Sequence, residues 1–262
     1  MSEAGEYYAP AYFAGQGGGS YESARRIVPI VMEALAPQSV VDVGCGVGAW
    51  LRAFAEQGVR RVLGIDGDYV ERSMLQIDPG DYLGWDLAKP LAVDERFDLA
   101  LSLEVACDLE PAQAPRFVED LVRLAPAVLF SSAIPHQGGF HVNEQWQSYW
   151  AALFERHGYL AIDVIRPAVW NDAQVEWWYA QNALLYVTED VLAAKLPGAS
   201  AERSPARLDV IAPRYYLYQR EVLGAPGVQR AVRMLAAATA RETPRLYERL
   251  RGRIARARGP AR

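Results

Sequence analysis

Cysteine is almost absent from this 262-residue sequence: only Cys45 and Cys107 occur, far apart and outside any CxxC or Cys/His pattern. A disulfide framework or a structural zinc centre needs more ligands than that, at closer spacing. Long apolar runs are also missing. Nothing reaches the roughly 18 consecutive apolar residues of a membrane span. The opening MSEAGEYYAPAYFAGQGGGS has neither the basic nor the apolar block of a secretory leader. A reducing, cytoplasmic setting without a membrane partner is therefore expected. Basic charge is in deficit as well, with a net charge of −5. A dominant basic surface of the kind that binds nucleic acid is not expected.

The deficit is uneven. From Arg241 to Arg262 there are eight arginines against Glu242 and Glu248, about +6, which leaves about −11 on the preceding residues. Apolar residues form 51% of the chain and charged ones 23%, the balance of a packed globular domain.

Short apolar runs alternate with amphipathic stretches. SVVDV, RVLGID, DYLGW, FDLALSL, AVLFSS, YLAIDVI and ALLYV read as strands, and AWLRAFAEQ, AQAPRFVEDLVRLA and NEQWQSYWAALFERHG as helices between them. A further helix is expected over Tyr21–Ala36, bent at Pro29. This alternation implies an α/β fold with a parallel sheet covered on both faces. Residues 1–20, with GQGGGS, read as a flexible segment; 21–187 as the main domain; and 188–262 as a largely helical extension after the Pro- and Ala-rich AAKLPGASAERSPAR. The extension's two amphipathic segments from Val228 to Arg262 pack on their own domain or, as a second choice, join two copies into a homodimer.

The most specific stretch is VVDVGCGVGAWL, a strand followed by Gly44, Gly46 and Gly48 and then a helix. Glycines there let a ligand approach main-chain N–H groups. Gly44, Gly46 and Ala49 also fit the dinucleotide template. Asp42 separates the two cases, because a carboxylate beside a pyrophosphate is unfavourable, whereas one beside the cationic amino-acid end of S-adenosylmethionine is favourable. Asp66 closes RVLGID, 22 residues after Gly44, where an acid accepts ribose hydroxyls. Asp86 in GWDL and Glu104 after FDLALSL add two more acids at strand ends. The plainer alternative is that these acids only cap helices and turns.

On these motifs the chain, from about Tyr21 to Val187, resembles the class I S-adenosylmethionine-dependent methyltransferases, whose sheet has seven strands with helices on both faces in a Rossmann-like arrangement. The resemblance implies that Gly44 and Gly46, with Cys45, flank the methionine moiety of S-adenosylmethionine. It likewise implies that Asp66 and Gly67 take the ribose, that Asp86 and Leu87 hold the adenine, and that Leu103 and Glu104 complete the cofactor wall. Arg25, in SARRIVP, is a candidate partner for the methionine carboxylate, or else a surface ion pair. Related chains read EVAEHL where this one has Ala106, Cys107, Asp108 and Leu109, so a role of that Glu-His pair is lost here or shifted to Asp108.

In this fold the loop after the fifth strand borders the transferred methyl group. Here that loop is IPHQGGFHVNEQWQSYW, and VEWWYAQN follows between the last two strands. His141 is the expected general base, oriented by Glu144 or Asn143, with His136 as alternate. The same histidines could instead be structural loop residues. Asn143, Trp146, Tyr149, Asn171, Trp177 and Trp178 are the expected acceptor contacts, since aromatic faces with nearby amides suit a polyhydroxy ring. A metal site from His136, His141 and Glu144 matches no strong template, and none is expected.

The chain is similar to bacterial methyltransferases of glycan or secondary-metabolite assembly. The expected activity is O-methylation of a small polar metabolite or sugar. The alternatives are N-methylation of an amine and a non-catalytic cofactor-binding partner.

Overall fold

The computed structural model describes residues 10–137, 141–202 and 204–224. Contacts divide the chain into Met1–Ala212 and Pro213–Arg262; the arginine-rich tail and its proposed dimer lie outside the described residues.

The first unit is built on a seven-stranded sheet ordered β3-β2-β1-β4-β5-β7-β6. Its strands are β1 (Ser39–Val43), β2 (Arg61–Asp66), β3 (Tyr82–Gly84), β4 (Leu99–Leu103), β5 (Ala127–Ser131), β6 (Tyr159–Ile162) and β7 (Leu184–Thr188). The five strands from β3 to β5 are parallel, and β7 runs antiparallel to both β5 and β6. Every residue of β4 and of β5 is buried, because successive side chains point to opposite faces and both faces are covered.

The alternation can be followed residue by residue. Val40, Leu99, Leu101 and Leu129 enter one core, while Val41, Ala100, Val128 and Phe130 enter the other. Helices α1 (Pro10–Leu35) and α2 (Ala49–Glu56) cover the first face through Ile27, Val31, Leu51 and Phe54. Helices α3 (Ala114–Leu124) and α4 (Gln147–Glu155) cover the second through Phe117, Leu121, Trp150 and Phe154.

Helix α1 begins at Pro10, so GQGGGS, expected as a loose segment, is helical, and Pro29 sits inside the helix. Glycine disfavours helix intrinsically. Here tertiary contact opposes that preference: Ser20 Oγ lies 3.2 Å from the Tyr179 hydroxyl.

Between β6 and β7 lie the short helices α5 (Ile165–Val169) and α6 (Trp177–Asn182); α7 (Glu189–Lys195) follows β7. The residues after α7 are bound into the same unit. Arg166 is 2% exposed; it makes two bonds to Asp163, at 2.9 and 2.6 Å, and donates to the Leu208 carbonyl at 2.7 Å. Asp209 accepts from the Ser148 backbone N–H and hydroxyl, and Gln181 Oε1 accepts from the Ala212 N–H. The second unit begins with α8 (Pro213–Gly224). No described helix is long and apolar enough to cross a membrane.

Candidate active site

Strand β1 pairs with β2 on one side and β4 on the other. The chain thus leaves β1 in one direction and β4 in the other, and a crevice opens beyond their carboxyl ends. A cavity of about 480 Å³ lies there, within the range of small-molecule sites.

Its floor is the glycine turn. Gly44, Gly46 and Gly48 have φ of 90°, 52° and 82°, the left-handed region that costs a side chain dearly. A Cβ on Gly44 would stand 2.2 Å from the Val105 side chain, so the turn also closes tightly on the loop after β4. The Gly46 and Gly67 N–H groups both donate to the Asp66 carboxylate at 2.7 Å, and the Tyr69 hydroxyl donates to it as well. Burial raises the Asp66 carboxyl above its usual value, while these three donors oppose the shift. Asp42 is 2% exposed and has no hydrogen-bonding partner among the described residues. Burial, and then the neighbouring charge of Asp66, push it up to about 7.

The opposite wall comes from β4 and the loop after β5. Glu104 follows β4 with φ of 58°. Its two carboxylate oxygens accept from the side-chain amides of Asn182 at 3.1 Å and Gln137 at 2.9 Å. Burial raises its carboxyl in spite of those donors. One turn further, in the segment Ala106–Asp108, Asp108 Oδ1 lies 2.7 Å from His141 Nδ1. Burial of His141 opposes its protonation, but the Asp108 hydrogen bond and the charges of Asp108, Glu104 and Glu144 outweigh it, and the imidazole is raised above its ordinary value.

Of the residues singled out from sequence, Asp42, Gly44, Cys45, Gly46, Asp66, Gly67, Asp86, Leu87, Leu103, Glu104, His141, Trp177 and Trp178 all line this cavity. Arg25 does not: it is exposed and lies 3.7 Å from Glu22. His136 is exposed and left-handed at φ 68°, with its N–H donating to Glu144 Oε2. Glu144 therefore braces the loop backbone, and the partner of the His141 ring is Asp108. Asn143 is buried and donates to the Ala106 carbonyl. Trp146 stands at the N-terminus of α4, Tyr149 packs against Trp150 and the second core, and Asn171 is exposed; none of these four lines the cavity. Lining residues not foreseen include Trp50, Tyr69, Trp85 and Tyr179. Tyr69 was within reach of sequence, three residues after Asp66; Tyr179 arrives from a segment more than 100 residues away in sequence.

The fold and this site define an S-adenosylmethionine-dependent methyltransferase. More particularly, the chain belongs to the methyltransferase-domain family, which matches residues 20–186. No curated protein matches it. Among solved structures it is similar to DesVI of Streptomyces venezuelae, at 12% identity and a TM-score of 0.51 over 68% of this chain and 95% of that one. It is also similar to human N-acetylserotonin methyltransferase in complex with SAM, at 14% identity and a TM-score of 0.45 over 63% of this chain. The chain spans 51% of that human protein's length. A third likeness is to magnesium protoporphyrin IX methyltransferase from Synechocystis PCC 6803 with bound SAM, at 16% identity and a TM-score of 0.48 over 65% and 80% of the two chains.

The residues present fit S-adenosylmethionine. A side chain at Gly44 would run into Val105, the buried Asp42 carboxylate has no hydrogen-bonding partner among the described residues, and Asp66 is held at the end of β2 by main-chain donors. A cationic ligand supplies the charge that a buried carboxylate otherwise lacks.

Proposed function

We propose that this protein methylates a hydroxyl of a small polar acceptor, with His141 as general base and Asp108 as its positioning partner. The observation that carries this reading is the 2.7 Å contact between His141 Nδ1 and Asp108 Oδ1 at the cavity wall. S-adenosylmethionine, when bound, supplies a methyl group on a cationic sulfur. A carboxylate on Nδ1 holds the proton there and leaves Nε2 as the basic nitrogen. The hydroxyl proton would pass to His141 Nε2 as the oxygen takes the methyl group and the methyl–sulfur bond breaks with its electrons left on sulfur, and Asp108 would stabilise the resulting imidazolium. Asp42 and Asp66 hold the cofactor end, as the glycine turn positions them.

A saccharide is the favoured acceptor. Trp177 and Trp178 present rings at 83° to one another, 5.4 Å apart, and both line the cavity. The apolar C–H faces of a sugar ring stack on such rings. An amine acceptor is the second reading, favoured by the carboxylates around the cavity.

The test is S-adenosylhomocysteine formation, followed by mass spectrometry, with a panel of free sugars, amino sugars and alcohols. His141→Ala should lower kcat for an alcohol by about 100- to 10,000-fold with cofactor affinity unchanged. Near-normal turnover in that variant would remove His141 as the base.

A further inference from the structure

We propose that the acceptor carries a protonated amine and that the cavity rejects acceptors bearing phosphate or carboxylate. This inference rests on the methyl-transfer reading and adds the charge of the molecule being methylated.

Five carboxylates line the cavity, those of Asp42, Asp66, Asp86, Glu104 and Asp108, and among the described lining residues there is no lysine or arginine. A cationic cofactor accounts for the acids at the β1, β2 and β3 ends. It does not account for Glu104, which stands on the β4 side with Gln137; Asp108 beside it is paired with the His141 ring. The donors that fix Glu104 are the side-chain amides of Gln137 and Asn182. Amides orient a carboxylate without neutralising it. Of the nearby cations, Lys89 lies 3.4 Å from Asp86 at the exposed rim, on the cofactor side and not beside Glu104, and Arg25 faces Glu22 at the surface.

Neighbouring sequence does not reverse the balance. Residues 1–18 contain Glu3 and Glu6 and no lysine, arginine or histidine, and positions 138–140 are Gly138, Gly139 and Phe140. Trp177 and Trp178 complete the wall, and aromatic faces attract an ammonium while offering nothing to an anion. A second anion brought into a partly dry cleft of this charge meets repulsion that water screens poorly. Exclusion of that kind gives specificity without any additional contact.

Tryptophan fluorescence, excited at 295 nm, with three probes of one shape tests the proposal: benzylammonium, benzyl alcohol and benzoate, titrated at constant ionic strength with and without S-adenosylhomocysteine. Benzylammonium should bind about tenfold more tightly than benzyl alcohol, and benzoate about tenfold more weakly than the alcohol. Glu104→Gln should narrow the gap between ammonium and alcohol, read as the ratio of the two affinities within the variant, and an unchanged ratio would count against the proposal. The proposal is overturned if benzoate binds as well as benzylammonium, if the three are equal, or if benzylammonium gives no saturable signal up to about 100 mM, a free energy too weak for any built site. Failure of S-adenosylhomocysteine to bind in the same cell would instead sink the methyltransferase reading, and the Glu104→Gln comparison measured without it would still decide the charge question, because it separates the β4-side carboxylate from the acids of the cofactor end.

Discussion

The two walls of the cavity are held in different ways. On the β1–β2 side the positions are set by main chain: three glycines in left-handed geometry, and an acid at the end of β2 gripped by two backbone N–H groups. On the β4–β5 side they are set by side chains that meet across long stretches of sequence, as Glu104 meets Asn182 and Asp108 meets His141. A main-chain cradle tolerates almost no substitution at its glycines but much around them. A side-chain network can be retuned one residue at a time. The first wall suits an invariant cofactor and the second a varied acceptor.

If that contrast is right, the largest effect should come from Gly44→Val. Its Cβ would fall 2.2 Å from Val105 at φ 90°, so cofactor affinity should drop by at least about 100-fold; calorimetry on protein shown to be folded by circular dichroism checks this. Asp108→Asn should lower turnover by about 10- to 100-fold. It should also move the rising limb of the pH–rate profile to lower pH, because Asp108 raises the His141 imidazole and a base works only above its own pKa. A merely structural Asp108 would leave that limb in place. Asp66→Ala should weaken S-adenosylmethionine binding by about 1–3 kcal/mol without moving the limb, which calorimetry and the same profile test together.

Asp42 gives a subtler test. Because its carboxyl sits at about 7, cofactor affinity should fall by up to about tenfold for each pH unit below that value, as a proton competes with the cation for the carboxylate. The sign for stability is the reverse. A raised carboxyl favours the folded state fully below the ordinary value of 3.8, and that contribution is lost as pH climbs to about 7. Asp42→Asn should therefore raise the melting temperature of the ligand-free protein at neutral pH while abolishing the pH dependence of binding. The smallest effect should be Arg25→Ala, within about 0.5 kcal/mol for cofactor binding, as for an exposed pair.

The first wall was readable from sequence because everything in it is local. A strand, three glycines and a helix in one stretch, and an acid closing the next strand, leave little freedom in where they meet. Arg25 was misplaced for a reason the helix itself supplies. Ala24, Ile27, Val28 and Val31 form the buried stripe, and Arg25 falls off it. The same period explains Tyr149: in the helix read from NEQWQSYWAALFERHG, α4 starts at Gln147 and turns Trp150 fully into the core, with Tyr149 packed beside it rather than against an acceptor. Asp108 as the partner of His141 is separated from it by 33 positions. No spacing rule reaches that far, and only the departure at Cys107 and Asp108 marked the place.

Arg166 sets where this protein can be divided. The family match ends at residue 186, which invites a cut soon after β7. Such a cut would delete Leu208, whose carbonyl caps a guanidinium with almost no access to water, along with Asp209 and the Ala212 N–H that meet Ser148 and Gln181. A buried cation stripped of an acceptor is among the costlier defects a fold can carry. A cut that keeps these contacts falls past the recognisable homology, at Ala212, where the contacts of the chain divide, and any transfer of this catalytic module to another protein would have to carry that strap along.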